Sequence, residues 1–209
     1  MIKDFAGVAL PLAVAMFVMQ LPGGFLYGVG SALPAMMANS EYDGQLLFYV
    51  LAPIFGLVAL VVQSYLLGGI VHFALSVCRG KKPEFGEVFS GGRYFGKMLV
   101  GQLLFGLAYA IGFALCVVPG WIVAAGCIFY APLIVDKNMG GVDALKESWR
   151  LTTGHKLNVI VLGVLLFLVV LVGYAACCVG ALLVSAPIAA LSLSYVYLRL
   201  VGEEPRLPV

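Results

Sequence analysis

The chain has 209 residues, of which 63% are hydrophobic and 11% charged, and its mean hydropathy is +1.08. That is far more apolar surface than a soluble core of this size can bury, so the composition predicts an all-α, polytopic integral membrane protein. The net charge is only +2, and nothing beyond charge supports a nucleic-acid partner.

Four stretches carry no Asp, Glu, Lys or Arg: residues 5–40, 44–78, 98–135 and 157–198. One span needs roughly 20 residues at about 1.5 Å of rise each. The last two stretches are therefore each read as two spans joined by a turn, at Pro119-Gly120 in one and in the Cys177 to Gly180 region of the other. Pro22-Gly23-Gly24 could break the first stretch, and Pro53 or Gly68-Gly69 the second, into half-helices or re-entrant pieces. One long or kinked helix in each is preferred, because charge placement then becomes consistent. The result is a single transmembrane domain, 1–209, with spans near 5–37, 46–78, 98–117, 120–135, 157–176 and 181–198. The amino-terminal MIKD and its apolar run are read as part of the first span, since Asp4 does not suit the basic region of a signal peptide.

With six spans, all twelve Lys and Arg fall on one side. Lys3 is at the amino terminus; Arg79, Lys81, Lys82, Arg93 and Lys97 lie in the first long loop; Lys137, Lys146, Arg150 and Lys156 lie in the second; Arg199 and Arg206 are in the tail. The other side receives Glu41 and Asp43. The positive-inside rule then makes both termini and both long loops cytoplasmic. Arg79, Lys81 and Lys82 serve first as this topology signal and second as an anionic-lipid contact.

Both long loops are expected to carry a cytoplasmic amphipathic linker. In residues 142–151, Val142, Leu145 and Trp149 share one narrow helical face, with Asp143, Lys146, Glu147 and Arg150 opposite. Glycines at 140, 141 and 154 suit a turn at each end. A helix this short needs outside support, and Trp149 is the expected interfacial anchor at headgroup level. FGEVFSGGRYFGK (85–97) stands in the same relation to the preceding span, so the unit of surface helix and two spans is expected twice.

The run from about Ser64 to Tyr197 resembles bacterial six-helix membrane families of unknown function, the YciC-like proteins and the membrane domain fused to some glycerophosphoryl diester phosphodiesterases. The residues that carry the likeness are Pro119-Gly120, Tyr130-Ala131-Pro132, Asp136, Ala144-Leu145, Ser148 and Gly154, with RGKKPEFGEVFSG (79–91) upstream. The resemblance implies a bacterial inner-membrane location and this topology. It implies no activity, and no attached phosphodiesterase catalytic domain is expected.

Chemistry is sparse. No span contains an ionisable Asp, Glu, Lys or Arg of the kind that marks a proton relay. Gln20, Gln63, Ser64, His72 and Gln102 are read as interhelical hydrogen-bonding groups, with Gln63 and Gln102 as the candidates for lining a polar cavity. His72 stands near Arg79 and is read as interfacial. The five cysteines show no metal-ligand spacing, and no cofactor is expected. Cys116 lies at the depth of Cys177 and Cys178, which permits a disulfide, whereas Cys78 and Cys127 are expected free. Small-residue ridges such as Gly106-x-x-x-Ala110 allow close helix contacts within the chain or with another subunit. A non-enzymatic accessory or scaffold subunit is the expected function, with membrane lipids and other membrane-protein subunits as partners. A transporter or channel for a neutral or lipidic solute is one alternative. A lipid-acting membrane enzyme is the other, for which Asp136, Asp143, Glu147, Arg150 and His155 are the candidate groups.

Overall fold

A long apolar run has no water to serve its backbone and must close its own hydrogen bonds, which a helix does. The chain follows this rule: among the described residues every regular element is a helix. The computed structural model describes residue 14 and residues 43–81, 83–115, 117–154, 156–175 and 186–205. Helix α1 (Asp43–Cys78) is 36 residues long and passes through Pro53 and Gly68-Gly69, so the second apolar stretch is one long helix. A 3-10 helix (Phe85–Arg93) leads into α2 (Phe95–Leu115). Then come α3 (Val117–Cys127), α4 (Tyr130–Lys137), α5 (Gly141–Thr152), α6 (Lys156–Ala175) and α7 (Ala186–Val201).

Three runs, Gly56–Cys78, Phe95–Leu115 and Gly120–Lys137, are long and apolar enough to cross a membrane by length and composition. The third corresponds to the span expected near 120–135, and it is interrupted at residues 128–129. Pro132 explains the break: it has no N–H to offer the carbonyl of Ile128, and its ring crowds that carbonyl. Apart from residue 14, the expected first span lies outside the described residues, as do the Cys177 to Gly180 turn, Cys116, Cys177 and Cys178, and Gln20, Lys82 and His155. Cys78 and Cys127 are free and buried, as expected.

The protein-packed core lies toward one end of the helices. On α1, Ile54, Leu57 and Val58 are exposed, whereas Ile70, Phe73, Leu75, Val77 and Cys78 are buried. Helix α2 shows the same gradient in the opposite chain direction, from buried Met98 and Gly101 to exposed Leu103, Leu107 and Leu115. Phe129, Leu133 and Ile134 of the α3–α4 run and Tyr197 and Leu198 of α7 complete this core.

The first linker differs from the surface helix expected of 85–97. It is a 3-10 helix folded against α1, with Val88 fully buried among Leu66, Ile70, Phe73 and Val77. Two glycines permit the approach. A Cβ on Gly69 would collide with the Val88 carbonyl, and one on Gly91 with the Tyr65 carbonyl. The Tyr65 hydroxyl donates to the Phe89 carbonyl at 2.5 Å and fixes the register.

Candidate functional site

Helix α5 forms where the second amphipathic linker was expected, but it packs on a different face. Its buried residues are Gly141, Ala144, Ser148 and Thr152, while Val142 and Trp149 are 45% and 38% exposed. Small side chains let α5 lie directly on backbone. A Cβ on Gly141 would stand 2.5 Å from the Gly101 nitrogen and 2.8 Å from the Lys97 carbonyl oxygen of α2. The Trp149 ring lies across Gly126 of α3 and keeps one side on the outer surface.

This seating places two hydroxyls at the α3–α4 break. The Ser148 hydroxyl accepts from the Phe129 N–H at 3.1 Å and donates to the Gly126 carbonyl at 2.9 Å. The Thr152 hydroxyl stands 3.2 Å from the same Gly126 carbonyl, and shares its proton with the Ser148 and Trp149 carbonyls of its own helix. Backbone groups freed by the interruption are thus satisfied by a neighbouring helix, as an apolar environment requires.

The ends of α1, α4 and α7 meet in a charged cluster. Arg79 donates through Nη2 to Asp136 at 2.6 Å, and through Nε and Nη2 to the Glu203 carboxylate at 3.0 and 3.1 Å. The Tyr197 hydroxyl donates to the other Asp136 oxygen at 2.9 Å. The Asp136 side chain is 11% exposed, Arg79 33% and Glu203 47%, so the cluster runs from interior to surface. Burial opposes the charge on Arg79, but the hydrogen bonds it donates to Glu203 and Asp136, together with their negative charges, outweigh it and hold the guanidinium above its ordinary value. Beside this cluster, Lys97 donates to the carbonyl and side-chain oxygens of Asn138 at 2.6 and 2.7 Å. It thereby caps α4, where Asn138 adopts a left-handed φ of 52°.

The expected polar residues take separate places. Gln63 is exposed on α1, and its neighbour Ser64, fully buried, is the one that meets Gln102. The Ser64 hydroxyl shares its proton between the Leu60 carbonyl at 2.7 Å and Gln102 Oε1 at 2.8 Å, which joins α1 to α2. Asp136 is held by Arg79 and Tyr197, and Glu147 by Arg150 at 3.1 Å, so these candidates for lipid chemistry face different partners. Among the described residues, no three His, Cys, Asp or Glu side chains gather to hold a metal ion. The one readable signal for the Arg79 cluster was the charge of Asp136 at a span end; its partners are 57 and 61 residues away in sequence.

Neither a family model nor a solved structure matches the chain. Uncharacterised proteins of Mycobacterium tuberculosis and Mycobacterium bovis are similar to it, at 35% identity over 141 residues, which is 67% of this chain. The chain spans 42% of the length of these relatives.

Proposed function

We propose that this chain is a non-enzymatic protein of the bacterial inner membrane, with six spans and both termini cytoplasmic, and that it serves as an accessory or scaffold subunit of a membrane assembly. The observation that carries this reading is the use made of its polar groups. Ser148 and Thr152 serve a broken backbone, Ser64 and Gln102 join two helices, and Arg79, Asp136, Tyr197 and Glu203 tie three helix ends together. Groups used in this way fix helix positions rather than converge on a substrate.

Two further features support it. Gly106, at the head of the Gly106-x-x-x-Ala110 ridge on α2, is exposed, with nothing among the described residues within 4 Å of an added Cβ, a backbone groove suited to a neighbouring helix. Similarity to part of a longer mycobacterial chain is the pattern of a module that works alongside other segments. In this reading Trp149, half-exposed beside the charged face of α5, anchors that helix at the headgroup level.

Native mass spectrometry of the protein, drawn from its own membranes directly into nanodiscs, tests the proposal. A stoichiometric complex with a second membrane protein is the expected result. A lone chain carrying only lipid, together with passage of neutral solute or lipid across reconstituted vesicles, would replace it with a channel or transporter. Turnover of a lipid by the purified chain would replace it with an enzyme.

A further inference from the structure

The outward side of α5 is fixed by what holds its inner side. Gly141 lies against the Lys97 and Gly101 backbone of α2, and Ala144, Ser148 and Thr152 are buried on the same side of the helix. At roughly 100° per residue, the side chains left outside follow one another around the helix in a set order. Val142 and Trp149 adjoin, Lys146 and Arg150 come next, and Asp143 and Glu147 lie beyond them. The apolar edge continues onto α3: the Trp149 ring covers Gly126, and Ile122, one turn earlier on the same face of α3, is 42% exposed. Apolar, then basic, then acidic is the order met on leaving a bilayer, from acyl chains through phosphates to water.

The two cations are open to a ligand. Lys146 is exposed, with no hydrogen bond or ion pair to another described residue. Arg150 is 81% exposed and gives one nitrogen, Nη2, to Glu147 at 3.1 Å, while a guanidinium carries five N–H donors in all. Arg79 and Lys97, by contrast, already donate to Asp136 and Asn138.

We propose that α5 holds an anionic phospholipid of the cytoplasmic leaflet, with the phosphate between Lys146 and Arg150 and an acyl chain along Trp149 and Ile122. Residues one helical turn apart have Cβ atoms about 5–6 Å from each other, a spacing that one phosphate bridges. The proposal rests on the membrane reading given above, and adds the class of lipid and the residues that select it. Selection comes from charge: a zwitterionic headgroup brings its own cation against Lys146 and Arg150, whereas an anionic one does not. A cation beside an anionic lipid surface is worth about fivefold in affinity, and Glu147 offsets part of what Arg150 contributes, so the preference should be about five- to tenfold.

Trp149 reports the site itself. Trp121→Phe leaves it as the chain's one tryptophan. The full-length chain with this substitution is reconstituted in mixtures of phosphatidylglycerol and phosphatidylcholine, with bromine on the acyl chains of one lipid or the other, and quenching of Trp149 gives their relative affinities. Phosphatidylglycerol should be preferred about five- to tenfold at low salt, and less as salt rises. Lys146→Gln with Arg150→Gln should bring the ratio within about twofold of unity, whereas Lys146→Arg should retain the preference and Asp143→Asn should not lower it. The double substitution leaves the buried face of α5 untouched, and the chain should fold normally. Equal quenching by the two lipids in the parent, or a preference that survives the double substitution, overturns the proposal and leaves the membrane reading standing. Quenching by neither lipid would place Trp149 away from acyl chains, and would overturn both the proposal and the anchoring of α5 at the membrane surface.

Discussion

The seating of α5 over the α3–α4 break predicts an unequal pair of substitutions. Ser148→Ala removes the acceptor of the Phe129 N–H, and Phe129 is fully buried, so that donor is left without a partner. The Gly126 carbonyl keeps Thr152 at 3.2 Å and is not orphaned. One buried backbone donor left unpaired costs about 1–3 kcal/mol, and the lower half of that range applies here because polar contacts between membrane helices measure weaker than those in water. Thr152→Val keeps the shape and removes a hydroxyl whose acceptors all have other partners, so it should cost less than about 1 kcal/mol. The double variant also strips Gly126 of both hydroxyls, and should exceed the sum of the singles by about 0.5 kcal/mol or more. Reversible unfolding in mixed micelles, followed by tryptophan fluorescence, measures this. Trp149 lies on Gly126 and reports the site directly. A Thr152→Val cost equal to that of Ser148→Ala, or strict additivity in the double variant, would refute this account of the break.

Two glycines on neighbouring helices should behave oppositely. Gly141→Ala drives a Cβ into the backbone of α2, 2.5 Å from the Gly101 nitrogen, and should destabilise by more than about 2 kcal/mol, whereas Gly106→Ala meets nothing among the described residues and should be neutral or stabilising by about 0.5–1 kcal/mol in the isolated chain. Loss of Gly106→Ala from the proposed assembly, with its own stability intact, would place the proposed subunit contact on that ridge. In the charged cluster, Arg79→Gln leaves the 11% exposed Asp136 with Tyr197 as its partner among the described residues and should cost about 1–3 kcal/mol; Glu203→Gln, at a 47% exposed group, should cost about 1 kcal/mol or less. The same unfolding titrations rank them, and the reverse order would show that the tail rather than Asp136 holds Arg79.

Charge-free length was enough to locate helices. At the described residues helices run through the charge-free stretches: α1 (Asp43–Cys78) through 44–78, α2 (Phe95–Leu115) into 98–135 and α6 (Lys156–Ala175) into 157–198. What length could not show was contact between distant segments. The interruption at 128–129 had a local sign in Pro132, but its remedy depends on Ser148 and Thr152, which only the return of α5 brings close. The packed face of α5 was missed because hydrophobic periodicity weighs large side chains, and Val142, Leu145 and Trp149 dominate that count. Close packing of helices favours small residues instead, and Gly141, Ala144, Ser148 and Thr152 recur at helical spacing in plain view. Likewise nothing local marks the partners of Arg79, whose guanidinium is engaged by Asp136 and by Glu203, 124 residues away.

The membrane reading stands on one geometric commitment, that the Arg79 cluster and both linkers lie on the cytoplasmic side. Single cysteines at Asp43, Lys137 and Glu204 in a cysteine-free chain, labelled in intact cells with an impermeant maleimide and again after permeabilisation, test it directly. Lys137, the last residue of α4, and Glu204, just past α7, are exposed beside the two helix ends joined through Arg79, so both should label only after permeabilisation, and Asp43 should label from outside. Labelling of Lys137 or Glu204 in intact cells would contradict the proposed orientation, and labelling of these two from opposite sides would contradict the fold itself.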